Sequence, residues 1–435
     1  VNTKQNGFDV AVVGAGMGGL CSAALLAHYG YKVIVVEKLP FIGGRASSAK
    51  YKGFTLPTGA LYVETGGVVE KLFQEVGAPF PVRSFPMQLC FRMSGKDHLM
   101  PLKGGLRALM SNFADEAEAG TVLNAIRRAF SWKEPSMAIS IRDWLLQYTQ
   151  NDKLLAIFRG LVNYQCVNFS DMPAGEFIRQ LRFGTGATAG AHPQGFLALM
   201  QELVKVIESH GGQVWTSSRV KYIEVQDESA RGIVVDQAGK QVEISSKAVI
   251  SDAGPQATLE LAGKKHFDKG YLKEVGENVR PLSYMCIEVS SDRPLVDFPG
   301  VMVVPEGHRQ MTMMCTSLAY PEYAPPGKHL LQAWAAPDSS FLPLNTKKEV
   351  DLMVQDLRDA IPNFDKDAEI LHVSYWQKDW PMYRAMPGAL TQKTPIENLY
   401  NVGDGVAPFV PLGLPACAET AQIVTKDIKQ RIKPA

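Results

Sequence analysis

The sequence predicts an α/β protein in which a Rossmann-like dinucleotide-binding domain is interrupted by a discontinuous α+β domain. A glycine cluster near the N-terminus stands between a valine-rich strand and a compact helix. A second glycine-rich strand, turn and helix closes the chain after residue 399, and the blocks between them alternate in composition. At 435 residues the chain exceeds one ordinary core, which suggests two or three domains.

The first element is Phe8 to Val13, a Val-rich run suited to a buried parallel strand. Leu20 to Tyr29 is helix-compatible, Gly30 ends it, and Lys32 to Glu37 supplies the next strand. The turn between them reads Gly14-Ala15-Gly16-Met17-Gly18-Gly19. Gly14 suits a tight turn, Gly16 lets a pyrophosphate approach the backbone, and Gly19 lets the helix pack closely on the sheet. Glu37, followed by Lys38, falls where the second strand should present a carboxylate to an adenosine ribose; its charge argues against a 2'-phosphate there. Val10 to Ala27 carries no charge over eighteen residues, the length of a spanning helix, but its four glycines split it into a β piece and a helical piece. A secretory segment would not predict the strand and acid that follow.

Composition excludes several classes. The hydrophobic share is 46%, the charged share 20% and the net charge +1, which is globular and gives no field for nucleic acid. Six scattered cysteines without a CxxC pair favour reduced thiols and a cytoplasmic setting, and the eight histidines show no ligand spacing, so no metal is expected.

Gly43-Gly44-Arg45-Ala46 follows the acid closely, in a loop where Gly44 can lie along a cofactor and Arg45 can approach phosphate. An ordinary nicotinamide domain has no need of this loop. With these residues the chain resembles the FAD-dependent amine oxidase and phytoene desaturase superfamily. The likeness runs through VVGAGMGGLCSAALLAHYGYKVIVVEK and GGRA, and on through Phe54 to Ala60. It implies a Rossmann-like FAD-binding domain with a separate substrate domain. Glu37 would bind the adenosine ribose, Arg45 would lie near the pyrophosphate, and Gly59 with Ala60 would line the flavin region.

The division expected is residues 1–84, 191–282 and 386–435 for FAD, and 85–190 with 283–385 for substrate. In the first substrate part, Met87, Leu89, Phe91, Met93 and Leu99 alternate as in strands, and helical segments are expected around Leu106 to Glu118 and Ile141 to Leu161. The second part, Ser283 to Leu344, is rich in Met and aromatics, which read first as core and second as pocket lining. Between the parts, a helix from Phe196 through Ile207 leads to strands at Val214 and Val220, a hairpin around Gly239 and the strand Ala248 to Ile250. In the resembling family the strand at Val220 offers backbone contacts to adenine; ordinary sheet core is the alternative.

Near the C-terminus, Leu399 to Val402 reads as a strand running into Gly403-Asp404-Gly405, and the segment from Pro411 opens a helix through Asp427. Gly413 and Ala416 are small and permit close backbone approach, and Leu414 between them is a further cofactor-site candidate. Asp404 can accept from a ribityl hydroxyl, and the superfamily places such a Gly-Asp strand end beside the ribityl chain.

The middle holds no GxSxG elbow, P-loop or HExxH, so redox chemistry carried by the flavin is the economical reading. Only one GxGxxG unit is evident, which disfavours a second, nicotinamide cofactor. The expected reaction is hydride transfer between flavin N5 and a bulky, largely apolar small molecule, by oxidation, desaturation or isomerisation, with peripheral membrane contact open. Amine oxidation is the alternative, although the sequence offers no aromatic cage; a non-enzymatic flavin-binding interaction protein is the third. In Trp376 to Gly388, Tyr383 and Trp380 either face the substrate cavity or anchor an inter-domain core, and Arg384 reads as a surface ion pair before a substrate-head ligand.

Overall fold

The computed structural model describes residues 3–85, 88–132, 136–183, 188–408 and 412–435. Met87 and Pro411 lie outside these residues. The first strand, Thr3–Val13, pairs in parallel with Val33–Val36 on one side and Lys240–Ser251 on the other. Val33–Val36 in turn pairs with Gln213–Trp215, and Leu399–Asn401 joins Lys240–Ser251, again in parallel. Ser229–Gln237 and Ser218–Gln226 continue the seven-stranded sheet as an antiparallel meander. All four residues of Val33–Val36 are buried, as a parallel strand covered on both faces requires; each contributes about 1.5–3 kcal/mol by leaving water.

The registers bring the carboxyl ends to one level. Val13 lies opposite Val36 and Ser251, Trp215 opposite Val36, and Asn401 opposite Ser251. The next residues, Gly14, Glu37, Asp252 and Val402, therefore emerge along one edge, where open parallel sheets bind ligands. One face is covered by the helix Met17–His28, against which Phe196–Ser209 and Leu414–Arg431 pack.

A second seven-stranded sheet has the order Ala368–Trp376, Tyr284–Ser291, His329–Ala335, Thr312–Cys315, Val301–Val303, Leu89–Met93, Lys96–Leu99. Its last two strands precede a helical block in the chain and join it through a parallel pairing of Leu89–Met93 with Val301–Val303. The helix Asp152–Tyr164 lies on this sheet at Gly160, where a Cβ would meet Val303 at 2.6 Å and Phe91 at 3.1 Å. The helical stretch read from Ile141 to Leu161 is two helices, Ile141–Leu145 and Asp152–Tyr164; Asn151 starts the second by accepting the amides of Lys153 and Leu154. A small sheet places Thr188–Ala191 between Val63–Thr65 and Arg83–Phe85 where the chain crosses between the large sheets. Among the described residues, no helix is long and apolar enough to cross a membrane.

Candidate active site

The glycine turn is built by close approach. Gly14 takes φ +100°, and a Cβ at Gly19 would overlap the Gly14 carbonyl oxygen. Gly18 packs on the C-terminal turn, since its Cβ would meet the Gly403 amide nitrogen at 3.0 Å. Glu37, 6% exposed, accepts the amides of Ala15 and Leu39, each at 2.8 Å, and so ties the turn to the second strand. A carboxylate offers about four acceptor positions, which leaves room for a ribose hydroxyl. The Gly43 amide donates to the Ala15 carbonyl at 2.7 Å and lays the second glycine loop along the first.

Arg45 leaves that loop and meets Asp404 in a fork, with bonds of 2.8 and 2.7 Å. Its Nη1 also donates to the carbonyls of Pro381 and Met382, while the Arg384 amide donates to Asp404. Three distant segments are thereby clamped together. Burial opposes the charge on Asp404, but the Arg45 guanidinium, helped by Arg384, holds its carboxyl below the ordinary range. Arg384 corrects the surface ion-pair expectation: its side chain is 22% exposed, borders the cavity, and stands 4.0 Å from Asp404. Burial, then the Arg45 charge, lowers its pKa.

Beyond the clamp the walls become aromatic. Trp376 and Trp380 both donate their indole N–H to the Thr58 carbonyl, at 2.9 and 3.0 Å. Gly59 and Ala60 run against Arg45, the Ala60 amide donating to its carbonyl and a Gly59 Cβ falling 2.6 Å from it. Tyr383 is 8% exposed and directs its hydroxyl to the Gln165 carbonyl at 3.3 Å. Tyr284 and Trp376 stack with centroids 6.2 Å apart, and Tyr62 with Tyr164 at 6.1 Å. These rings, absent as a set from any one stretch of sequence, form an aromatic enclosure. Glu64 also lines it, its pKa raised by burial.

Cradle, clamp and enclosure share one cavity of about 1700 Å³. Pockets for one small ligand usually span about 300–1,000 Å³, so this cavity has room for a dinucleotide and a second molecule. Gly14, Gly16, Glu37 and Lys38, Gly44 and Arg45, Gly59 and Ala60 all line it, as do Val220, Asp404, Gly413 and Leu414. Ala15, Gly18, Gly19, Gly403 and Ala416 stand behind the wall; Ala416 is fully buried in its helix. The side-chain-free cradle, the strand-end acid and the cavity's extent fit an adenine dinucleotide.

Sequence reading missed Asp252, Trp376, Tyr62 and Glu64 as wall residues. A signal existed for Asp252, which directly follows a strand parallel to Thr3–Val13; no local pattern marked the others. Elsewhere, donor atoms of His308, Asp356 and Asp359 lie within 4.8 Å of one another, against the expectation that no metal-ligating set forms. Asp356 is already occupied by the amides of His308 and Arg309 and by the His308 Nδ1, so the group reads as a loop clamp.

Residues 17–428 match the family model for flavin-containing amine oxidoreductases. The chain is 28% identical over 414 residues to an uncharacterized protein of Methanocaldococcus jannaschii, covering 91% of this chain and 93% of the relative. It is 22% identical over 435 residues to 15-cis-phytoene desaturase of Capsicum annuum, covering 91% and 73%. The crystal structure of an oxidoreductase from Methanosarcina mazei superimposes with a TM-score of 0.84 at 26% identity, covering 96% of this chain and all of that one. The chain therefore belongs to the flavin-containing amine oxidoreductase family and is an FAD-dependent oxidoreductase.

Proposed function

We propose that the protein transfers a hydride between a bulky, largely apolar small molecule and its flavin. The carrying observation is the cavity itself, which continues past the aromatic enclosure between apolar walls from Leu89, Met100, Leu106, Ile126 and Phe130. The bound flavin supplies the hydride acceptor or donor at N5. In this reading Gly14, Gly16, Gly44 and Arg45 hold the pyrophosphate region, Glu37 the ribose, and Val220 the adenine side. Asp404 and Gly413 border the ribityl and ring region, while Trp380 and Tyr383 orient the substrate. The two large sheets support the division into cofactor and substrate parts: every strand of the first comes from residues 1–84, 191–282 or 386–435, and every strand of the second from 85–190 or 283–385.

The test is anaerobic mixing of the oxidised and the reduced enzyme with polyene and isoprenoid compounds, set against primary amines and polyamines, with flavin absorbance as readout. Redox exchange with the apolar set alone supports the proposal; reduction by amines alone overturns it. Amine oxidation is the second reading, favoured by the stacked tyrosines and the Glu64 carboxylate beside them, which suit a cation.

Leu102, which lines the cavity, is 83% exposed, and Leu99 on the adjoining edge strand is 50% exposed. Lys103, Arg107 and Arg127 line the cavity with Leu102, a combination suited to collecting an apolar substrate at an anionic membrane surface. Leu102→Glu should lower sedimentation with anionic liposomes; equal sedimentation of variant and wild type would remove this edge from membrane contact.

A further inference from the structure

Asp252 follows the strand Lys240–Ser251, and its amide donates to the Val13 carbonyl at 2.8 Å, which delivers its side chain to the glycine turn. A Cβ on Gly16 would overlap Asp252 Oδ2, and Cβ atoms on Gly18 and Gly403 would fall 2.7 and 2.8 Å from Oδ1. The carboxyl thus fills space that three glycines leave free. That space lies at the N-terminal end of Met17–His28, where the Gly19 amide donates to Asp252 and the helix dipole favours an anion.

The groups facing Asp252 come from every element around it. They are the Gly19 amide, Arg45, Arg384 and Asp404, with the thiols of Cys21 and Cys417 from the two helices. Burial pushes the Asp252 carboxyl up to about 7, against the pull of the Gly19 amide, Arg384 and Arg45, while Asp404 adds to the rise. A pyrophosphate brought to the same cradle raises it further, because like charges in contact cannot both remain ionised.

We propose that Asp252 is a pyrophosphate-binding residue that acts as the neutral acid, its carboxyl hydroxyl donating to a pyrophosphate oxygen. Above its titration range the carboxylate takes one proton from solvent as FAD binds and returns it on release. No such role follows from the glycine motif, whose donors are backbone amides. The proposal rests on the assignment of the glycine cradle to the pyrophosphate.

Flavin-stripped protein titrated with FAD between pH 6 and 9 tests it. The expected Kd is level below about pH 7 and rises about tenfold per pH unit above it. Calorimetry at about pH 8 in buffers of different ionisation enthalpy should record uptake of close to one proton. Asp252→Asn keeps a neutral donor, so it should flatten the Kd profile, abolish proton uptake and bind FAD more tightly than wild type at high pH. A level wild-type Kd without proton uptake overturns the role of Asp252, as does a wild-type slope in D252N. Failure to bind FAD at every pH rejects the cradle assignment and the proposal together. Should D252N not fold, the proton count of the wild-type protein decides alone.

Discussion

Replacing Asp404 with alanine removes three acceptor contacts at once: the two from the Arg45 fork, at 2.8 and 2.7 Å, and the one from the Arg384 amide at 3.0 Å. Asp404 is 4% exposed and Arg45 22%, so the cation left behind is only partly returned to water through the cavity. Breaking one side of a buried pair costs about 3–5 kcal/mol, and the cavity exposure of Arg45 places this case near 3 kcal/mol, roughly two decades in an equilibrium constant. Urea unfolding of the flavin-free protein near pH 7 should show this loss. Trp376 and Trp380 lie near the tied segment and provide the fluorescence signal. Arg45→Met should lose a comparable amount, and Arg45→Met with Asp404→Leu less than the two single losses together, because no charge is left unpaired. Strict additivity, or an unchanged midpoint in D404A, would refute the clamp. The sign with pH follows from the depressed folded pKa of Asp404: its contribution is present above an unfolded value of about 4 and is lost as pH falls through the folded value.

Denatured protein should release FAD, and mass analysis that found only FMN or NAD would contradict FAD as the cofactor. Glu37→Ala removes the acceptor of the Ala15 and Leu39 amides together with the proposed ribose partner. It should weaken FAD binding by about 1–3 kcal/mol, and an unchanged titration would exclude Glu37 from the site. Tyr383→Phe keeps the ring and removes only the hydroxyl bonded to the Gln165 carbonyl. It should preserve flavin content and change the rate of substrate-driven flavin reduction; equal rates would confine Tyr383 to packing.

Much of the cofactor domain was legible because its signals are local. A valine strand, three spaced glycines, a compact helix and an acid at the next strand end lie within residues 8–37, and steric rules acting over a few residues assign each element. The C-terminal Gly-Asp turn and helix were readable for the same reason. Arg45 and Asp404 were each singled out as cofactor residues, yet nothing in the chain showed that the two would spend their charges on each other. That pairing depends on strands 3–13, 240–251 and 399–401 ending at one level, a consequence of register across more than 350 residues. Arg384 read as surface because charged residues usually are; only the packing of its segment against the glycine turns brings it inside. The aromatic enclosure is the clearest limit, since Tyr62, Tyr164, Tyr284, Trp376 and Tyr383 have no common period or spacing. By itself the sequence determined the nucleotide fold and its dinucleotide, because backbone sterics and hydrophobic periodicity act between neighbours. The tertiary structure alone decided which charges neutralise one another and which rings line the cavity, because those contacts form only when distant strands close into sheets.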